Sequence, residues 1–414
     1  MNMKLSIPTT WDDRLFEEIK RINQNPKTQI PVHEVYGTLQ TSITGGGRQA
    51  NILPYATKQQ AEDHIRQAHQ NGLEFNFLMN AICLGNREFE PEHHKQLVET
   101  LGWLSNIEVD TVTVAIPYLM ELIKRQFPRL KVCVSLIAAV GTTQEAKFFS
   151  EDIGVDRINI HFMANRDFDM LEALRKIVKC DLEVLANDPC LYQCPYREYH
   201  QTICAHSSQS VSGELPAVSI DYPGIKCAIT RIQNRAEILK SPWMRPEDTI
   251  YWERSGVEFL KLAGREKPLN WIATCTEIYA QREFDGNIYD FIEKAGLSAP
   301  EYEAFFGQAE MIQPLRFHID NKTLKGFIDY FYKARPRCGL GCEAIGCHHC
   351  DTWARRVVKV DENLAQKQLA QLRLVLDRLN DSTAFTDESI IETVRAKHRN
   401  KIGRILPSEQ DSSR

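Results

Sequence analysis

The sequence predicts an α/β protein: a (β/α)8 TIM-type barrel with a C-terminal helical, cysteine-rich extension. Three observations lead there. Short apolar runs rich in Val, Ile and Phe alternate with amphipathic segments of helical period. Eight such runs can be counted, which suits a closed barrel better than an open doubly wound sheet. No G-x-G-x-x-G follows any of them, so the fingerprint of a dinucleotide-binding fold is missing.

After a short N-terminal segment, the expected strands cover 33–39, 73–80, 109–116, 131–138, 156–163 and 180–187, followed by 226–232 and 256–264. Each is bounded by turn residues or charge. Between them, 58–72 places Ala61, Ile65 and Ala68 on one helical face and stops at Gly72. The stretches 90–107, 118–127, 142–153, 167–179 and 270–287 repeat the idea, with Thr142 and Asp167 as expected N-caps. Strands separated by helices in this way imply a parallel sheet with helices outside it. The domain reading is a barrel over 1–285 with a loop insertion near 188–227, a helical segment over 286–335, a cysteine-rich module over 336–360, and a helix and tail over 361–414. The last stretch, from residue 397, reads as frayed or disordered.

At 414 residues the chain can bury a large core, and no apolar run is long enough to cross a bilayer. The first residues lack the apolar centre of a secretory signal, so the expected location is the cytoplasm. A net charge of −5 argues against an extended nucleic-acid surface while leaving room for a local basic patch. With twelve cysteines and a reducing compartment expected, clustered thiols are read as ligands rather than disulfides.

Two cysteine sets stand out. Cys190, Cys194, Cys204 and Cys227 are spaced C-x3-C-x9-C-x22-C, in a segment too rich in Pro, Tyr and charge to be a buried strand. Cys338, Cys342, Cys347 and Cys350 follow as C-x3-C-x4-C-x2-C, with Gly339, Gly341 and Gly346 supplying tight turns and His348 and His349 as substitute ligands. Thiolates gathered like this call for a metal, either a [4Fe–4S] cluster or zinc. Cys83, Cys133, Cys180 and Cys275, in apolar patterns, read as ordinary core cysteines.

The active site of a β/α barrel lies at the C-terminal ends of its strands. The loop set follows the run ending at Asn187, which puts it at that face, with Cys227 expected at the start of the next strand. Arg197 and His200 sit among these cysteines, three residues apart, where they could orient substrate or bond cluster sulfurs. Gly46 and its neighbours in 41–51 would let backbone N–H groups approach an anion beside Arg48. Asn80 and Asn187 close strands, His161 is a candidate acid–base group, and Arg265 offers a bidentate fork for a carboxylate.

The segment 187–200, a third cysteine after it, and later Gly256, Val257, Lys261, Gly264 and Arg265 in a Gly-Val-x-x-x-Lys-x-x-Gly-Arg core resemble the collagenase-like peptidase U32 family. The resemblance spans about 30–285. It implies a barrel-like fold, an iron–sulfur cluster on four cysteines, and a divergent branch related to oxygen-independent hydroxylases. Together these readings predict an iron–sulfur redox enzyme modifying a small anionic substrate or RNA. One [4Fe–4S] cluster or two are expected, with zinc as the alternative at the C-terminal site. A protein partner or electron donor is left open and no membrane is implied. The competing readings are a peptidase and a non-catalytic, metal-stabilised partner protein. Against the peptidase, the chain has neither G-x-S-x-G nor H-E-x-x-H.

Overall fold

The computed structural model describes residues 3–210, 220–292, 299–307, 315–386 and 388–403. Eight parallel strands close in sequence order: β1 (Lys4–Pro8), β2 (Val32–Gly37), β3 (Glu74–Met79), β4 (Thr111–Val114), β5 (Lys131–Val134), β6 (Arg157–Asn159), β7 (Asp181–Leu185) and β8 (Phe259–Lys261). Leu5 pairs with Leu260 where β8 returns to β1. Helices Arg14–Gln24, Lys58–Gln70, Pro91–Asn106, Pro117–Gln126 and Phe168–Ile177 cover the outside, and Leu269–Gln281 completes the ring after β8. Thr142 and Asp167 cap as expected, accepting from the backbone N–H of Glu145 and Met170.

Two strand assignments differ from the sequence reading, and they offset each other. The N-terminal segment holds β1, in which Leu5 and Ile7 enter the apolar core while Ser6 is buried against Glu34. Five residues with one buried hydroxyl carry too little alternation to be recognised. The expected strand 226–232 instead lies in the helix Tyr222–Gln233. Its run of Ile and Thr suits either state, and the deciding signals lie upstream. Asp221 caps the helix through Gly224 N–H at 2.9 Å, and Pro223 occupies the first turn. The cysteine insertion therefore spans β7 to β8, and Cys227 is helical rather than at a strand start.

The barrel lumen is polar where branched apolar residues are usual. Glu34 accepts from Ser6 (2.6 Å) and Asn76 (3.2 Å), and Arg157 Nη1 lies 2.9 Å from Glu34 and 3.0 Å from Glu183. Asn159 donates to Glu183 at 2.6 Å, and Lys261 Nζ stands 3.6 Å from the same carboxylate. All are buried. Two carboxylates facing two cations satisfy the requirement that buried charge be paired.

C-terminal to the barrel, helices Ala299–Phe306, Asp329–Ala334, His349–Val357, Glu362–Asn380 and Glu388–Gly403 pack without intervening strands. The helical expectation for 286–335 includes 293–298 and 308–314, which lie outside the described residues, as do 211–219 of the insertion. The stretch expected to fray is helical to Gly403, and 404–414 lie outside the described residues.

Candidate active site and cysteine centres

The insertion after β7 folds its four cysteines around one space. Asp188 Oδ1 accepts from Cys190 N–H at 2.7 Å, fixing the turn that presents Cys190 and Cys194. The helix Arg197–His206 then carries Arg197, His200, Gln201 and Cys204 at intervals of three or four, so all four side chains share one face. Cys190, Cys194, Cys204 and Cys227 line a single cavity of ≈180 Å³ together with Arg48, Arg197, His200 and Arg231. Among the described residues, no three or more His, Cys, Asp or Glu side chains converge to hold one metal ion. The four thiols surround a volume rather than a point.

Cationic groups crowd this cavity. Arg197, 5 % exposed, donates to Leu191 O at 2.6 Å, lies 3.4 Å from His161 Nε2 and stacks over Phe162. Arg231 is buried and donates to Pro189 O. Burial opposes charge on His200, but hydrogen bonds to Asp221 (3.1 Å) and Cys204 overcome it and raise the imidazole to about 10. Burial pushes the Cys190 thiol up to about 12 and raises Cys227 as well, so these groups need a positive centre before they become thiolates.

A second cavity of ≈110 Å³ sits at the C-terminal ends of the strands, lined by Tyr36, Asn80, Thr113, Ser135, Asn159, Lys261 and Arg265. Lys261 Nζ lies 4.1 Å from the centre of the Tyr36 ring. Gly47, Arg48, Phe162, Asp188 and Gln201 line both cavities, so the thiols and the barrel mouth form one continuous site.

The structure brings Arg48, Asn80, Arg197, His200 and Arg265 to this site and leaves three expected residues out of it. His161 lines neither cavity; it stands behind Arg197, and burial, then the Arg197 charge, lowers it to about 4. Asn187 is fully buried and committed elsewhere: it donates to Ala263 O and Phe291 O at 3.1 Å each and accepts from Ala263 N–H at 2.6 Å. The glycine loop does not hold an anion with its backbone. Gly45, Gly46 and Gly47 N–H donate to Ser42, Ser208 and Asn80, because the loop is fastened to the segment after the cysteine helix. Its contribution is the Arg48 side chain. Conversely, the lumen charges Glu34, Arg157 and Glu183 beneath Lys261 went unrecognised. Their signal in the sequence is a charged residue within each apolar run, second in 33–39 and 156–163 and central in 180–187.

Three of the four C-terminal cysteines share a space, and Cys347 lies outside its lining. Cys338, Cys342 and Cys350 line a small cavity of ≈40 Å³ with Arg166, Tyr192 and Lys240. Cys347 lies 3.6 Å from the Tyr330 hydroxyl. His349 stacks on Tyr330 and Phe327, with Nε2 2.9 Å from Phe327 O, so its ring serves packing. Burial raises Cys338 to about 11 and Cys350 to about 12.

The model for Peptidase family U32 matches residues 55–186 of this sequence. An uncharacterized protease of Methanocaldococcus jannaschii is 29% identical over 347 residues, covering 84% of this chain and 95% of that protein. Over residues 55–186 the chain is similar to peptidase family U32. A solved U32 peptidase is 22% identical, with 65% of this chain and 95% of that one aligned at a TM-score of 0.44. The U32 match runs from before β3 to the end of β7 and stops just before Cys190, so the cysteine insertion lies beyond it. No helix among the described residues is long and apolar enough to cross a membrane.

Proposed function

We propose that the chain is a U32-type iron–sulfur enzyme that modifies a small anionic substrate at the mouth of its barrel. The observation that carries this reading is the shared wall of Gly47, Arg48, Phe162, Asp188 and Gln201 between the four-thiol cavity and the cationic barrel cavity. A [4Fe–4S] cluster binds its thiolates on separate irons and so suits thiols arranged around a volume, whereas zinc gathers four ligands at one ion. Cys190, Cys194, Cys204 and Cys227 would hold it, with Arg197 and Arg231 offsetting its negative charge. When bound, such a cluster supplies electrons, or an open iron where only three cysteines ligate.

The chain's own residues do the rest. Arg48 and Arg265 grip a carboxylate or phosphate with planar forks, and Lys261 adds a point charge from the lumen side. Glu183 and Tyr36 hold that ammonium in place. The reaction class we assign is oxygen-independent hydroxylation or a related modification.

Anaerobic purification tests the reading. The expected protein is brown, and Cys194→Ala loses about four irons per chain together with activity. Colourless protein containing only zinc would refute it. The description of the archaeal relative as a protease favours a second reading, peptide hydrolysis. Peptide cleavage that persists in iron-free Cys194→Ala protein would establish hydrolysis and remove the cluster from the mechanism.

A further inference from the structure

We propose that Cys338, Cys342, Cys347 and Cys350 hold a second iron–sulfur cluster, and that it delivers electrons to the loop site through the wall formed by Leu191–Pro195. This rests on the reading of the loop site as a cluster.

One cysteine of the loop set and two of the C-terminal set, far apart in sequence, face one space. A cavity of ≈350 Å³ is lined by Cys194 on one side and by Cys338 and Cys342 on the other. Cys194 also lines the four-thiol cavity, so it belongs to both spaces. Tyr192 lines this shared cavity and the small one against Cys338, Cys342 and Cys350. Between them, Gln193 adopts a left-handed conformation (φ 53°), which turns its side chain to donate to Gly339 O at 2.9 Å. A non-glycine residue in that region is strained, so surrounding contacts must hold it. The loop segment and the C-terminal turn are thus built onto each other.

The charges around the C-terminal set are mixed: Arg166 and Lys240 line its cavities beside Asp167 and Glu237, and Lys240 pairs with Glu237 at 2.8 Å. Arg166 is held by Leu239 O at 2.5 Å and by Trp243 O where it lines the cavity of Cys338, Cys342 and Cys350. Lys240 lines both C-terminal cavities. A structural zinc would not need continuity with the barrel-mouth site. Leu340, 62 % exposed between Gly339 and Gly341, marks the outer side of the turn as open to a donor.

The transfer balances simply. Cys338, Cys342, Cys347 and Cys350 would hold a cluster able to take one electron from a low-potential one-electron carrier protein, and Cys190, Cys194, Cys204 and Cys227 would hold the one that receives it, with no bond formed or broken.

The test uses the full chain, purified anaerobically, with reduced [4Fe–4S] ferredoxin as the donor probe. About eight irons per chain are expected. After full reduction, the paramagnetic resonance lines of the two clusters should be split by their mutual coupling. Cys347→Ala should lose that splitting, and its loop cluster should no longer be reduced by ferredoxin. Should Cys347→Ala fail to fold, the spectrum of the intact chain decides alone. Zinc at the C-terminal set beside an iron-loaded loop, or two clusters with unsplit lines, would overturn the relay and leave the loop-site reading standing. Unchanged iron in Cys194→Ala removes the loop cluster and the relay together.

Discussion

Replacing Gly45 by alanine tests whether the glycine loop serves close packing against the cysteine helix. Gly45 has φ +70°, and a Cβ there would stand 2.5 Å from Ala205 O, 2.9 Å from Gln209 Cγ and 3.0 Å from Ser208 Oγ. The left-handed backbone costs an L-residue about 1–2 kcal/mol. Overpacking adds about 1–3 kcal/mol, because the nearest atom is a backbone carbonyl that cannot rotate away. Gly72→Ala supplies the control: its φ is +73° and a Cβ there meets nothing within 4 Å. Both substitutions gain the same small amount from a stiffer unfolded chain, so their difference isolates the clash. Urea unfolding should place Gly45→Ala about 1–3 kcal/mol below Gly72→Ala. Ala205 adjoins Cys204 on the helix Arg197–His206, so iron content should fall in Gly45→Ala only. Equal losses of stability in the two variants, with iron unchanged, would refute the close-packing argument.

Other outcomes follow from the lumen and the strand ends. Arg157→Met leaves Glu34 and Glu183 buried without their guanidinium, and chemical denaturation should show a loss of about 3–5 kcal/mol; a loss under about 1 kcal/mol would contradict the paired-charge account. His161 is lowered from 6.5 to about 4, so the unfolded chain binds its proton first. Stability should fall as pH drops from about 6.5 towards 4, by about 3 kcal/mol in all, and His161→Gln should abolish that share of the slope. Parallel pH profiles for the two proteins would show that His161 is not buried neutral. Asn187→Ala should cost about 3 kcal/mol, through its lost bonds and the orphaned Ala263 N–H, while substrate affinity stays the same. A change in affinity without a change in stability would return Asn187 to the substrate site.

Much of the candidate site was legible because local rules govern it. Arg197, His200 and Cys204 recur at helical intervals, Arg265 directly follows an expected strand, and Arg48 lies in the loop after another, so placing the strands brings them to one face. The glycine loop misled because N–H groups in a Gly-rich turn look the same in sequence whether they await an anion or bond to Ser208 and Asn80. Asn187 misled for a related reason: a strand-end amide can face a ligand or fasten two strands.

By itself, the sequence determined the β/α alternation, the two cysteine sets and the face of the barrel on which the first set lies. These depend on periodicity, capping and order along the chain, all of which act over a few residues. The tertiary structure alone makes Lys4–Pro8 a strand, because its partners β2 and β8 are distant in sequence, whereas the helix over 226–232 carries a local signal in Asp221 and Pro223. The tertiary structure alone also decided that Glu34, Arg157, Glu183 and Lys261 meet inside the barrel. A charge within a strand reads as solvent-facing until closure turns that face inward. The same holds for the shared wall between Cys194 and Cys338: spacing predicts each set of thiols, but their adjacency exists only once the C-terminal turn packs on the insertion.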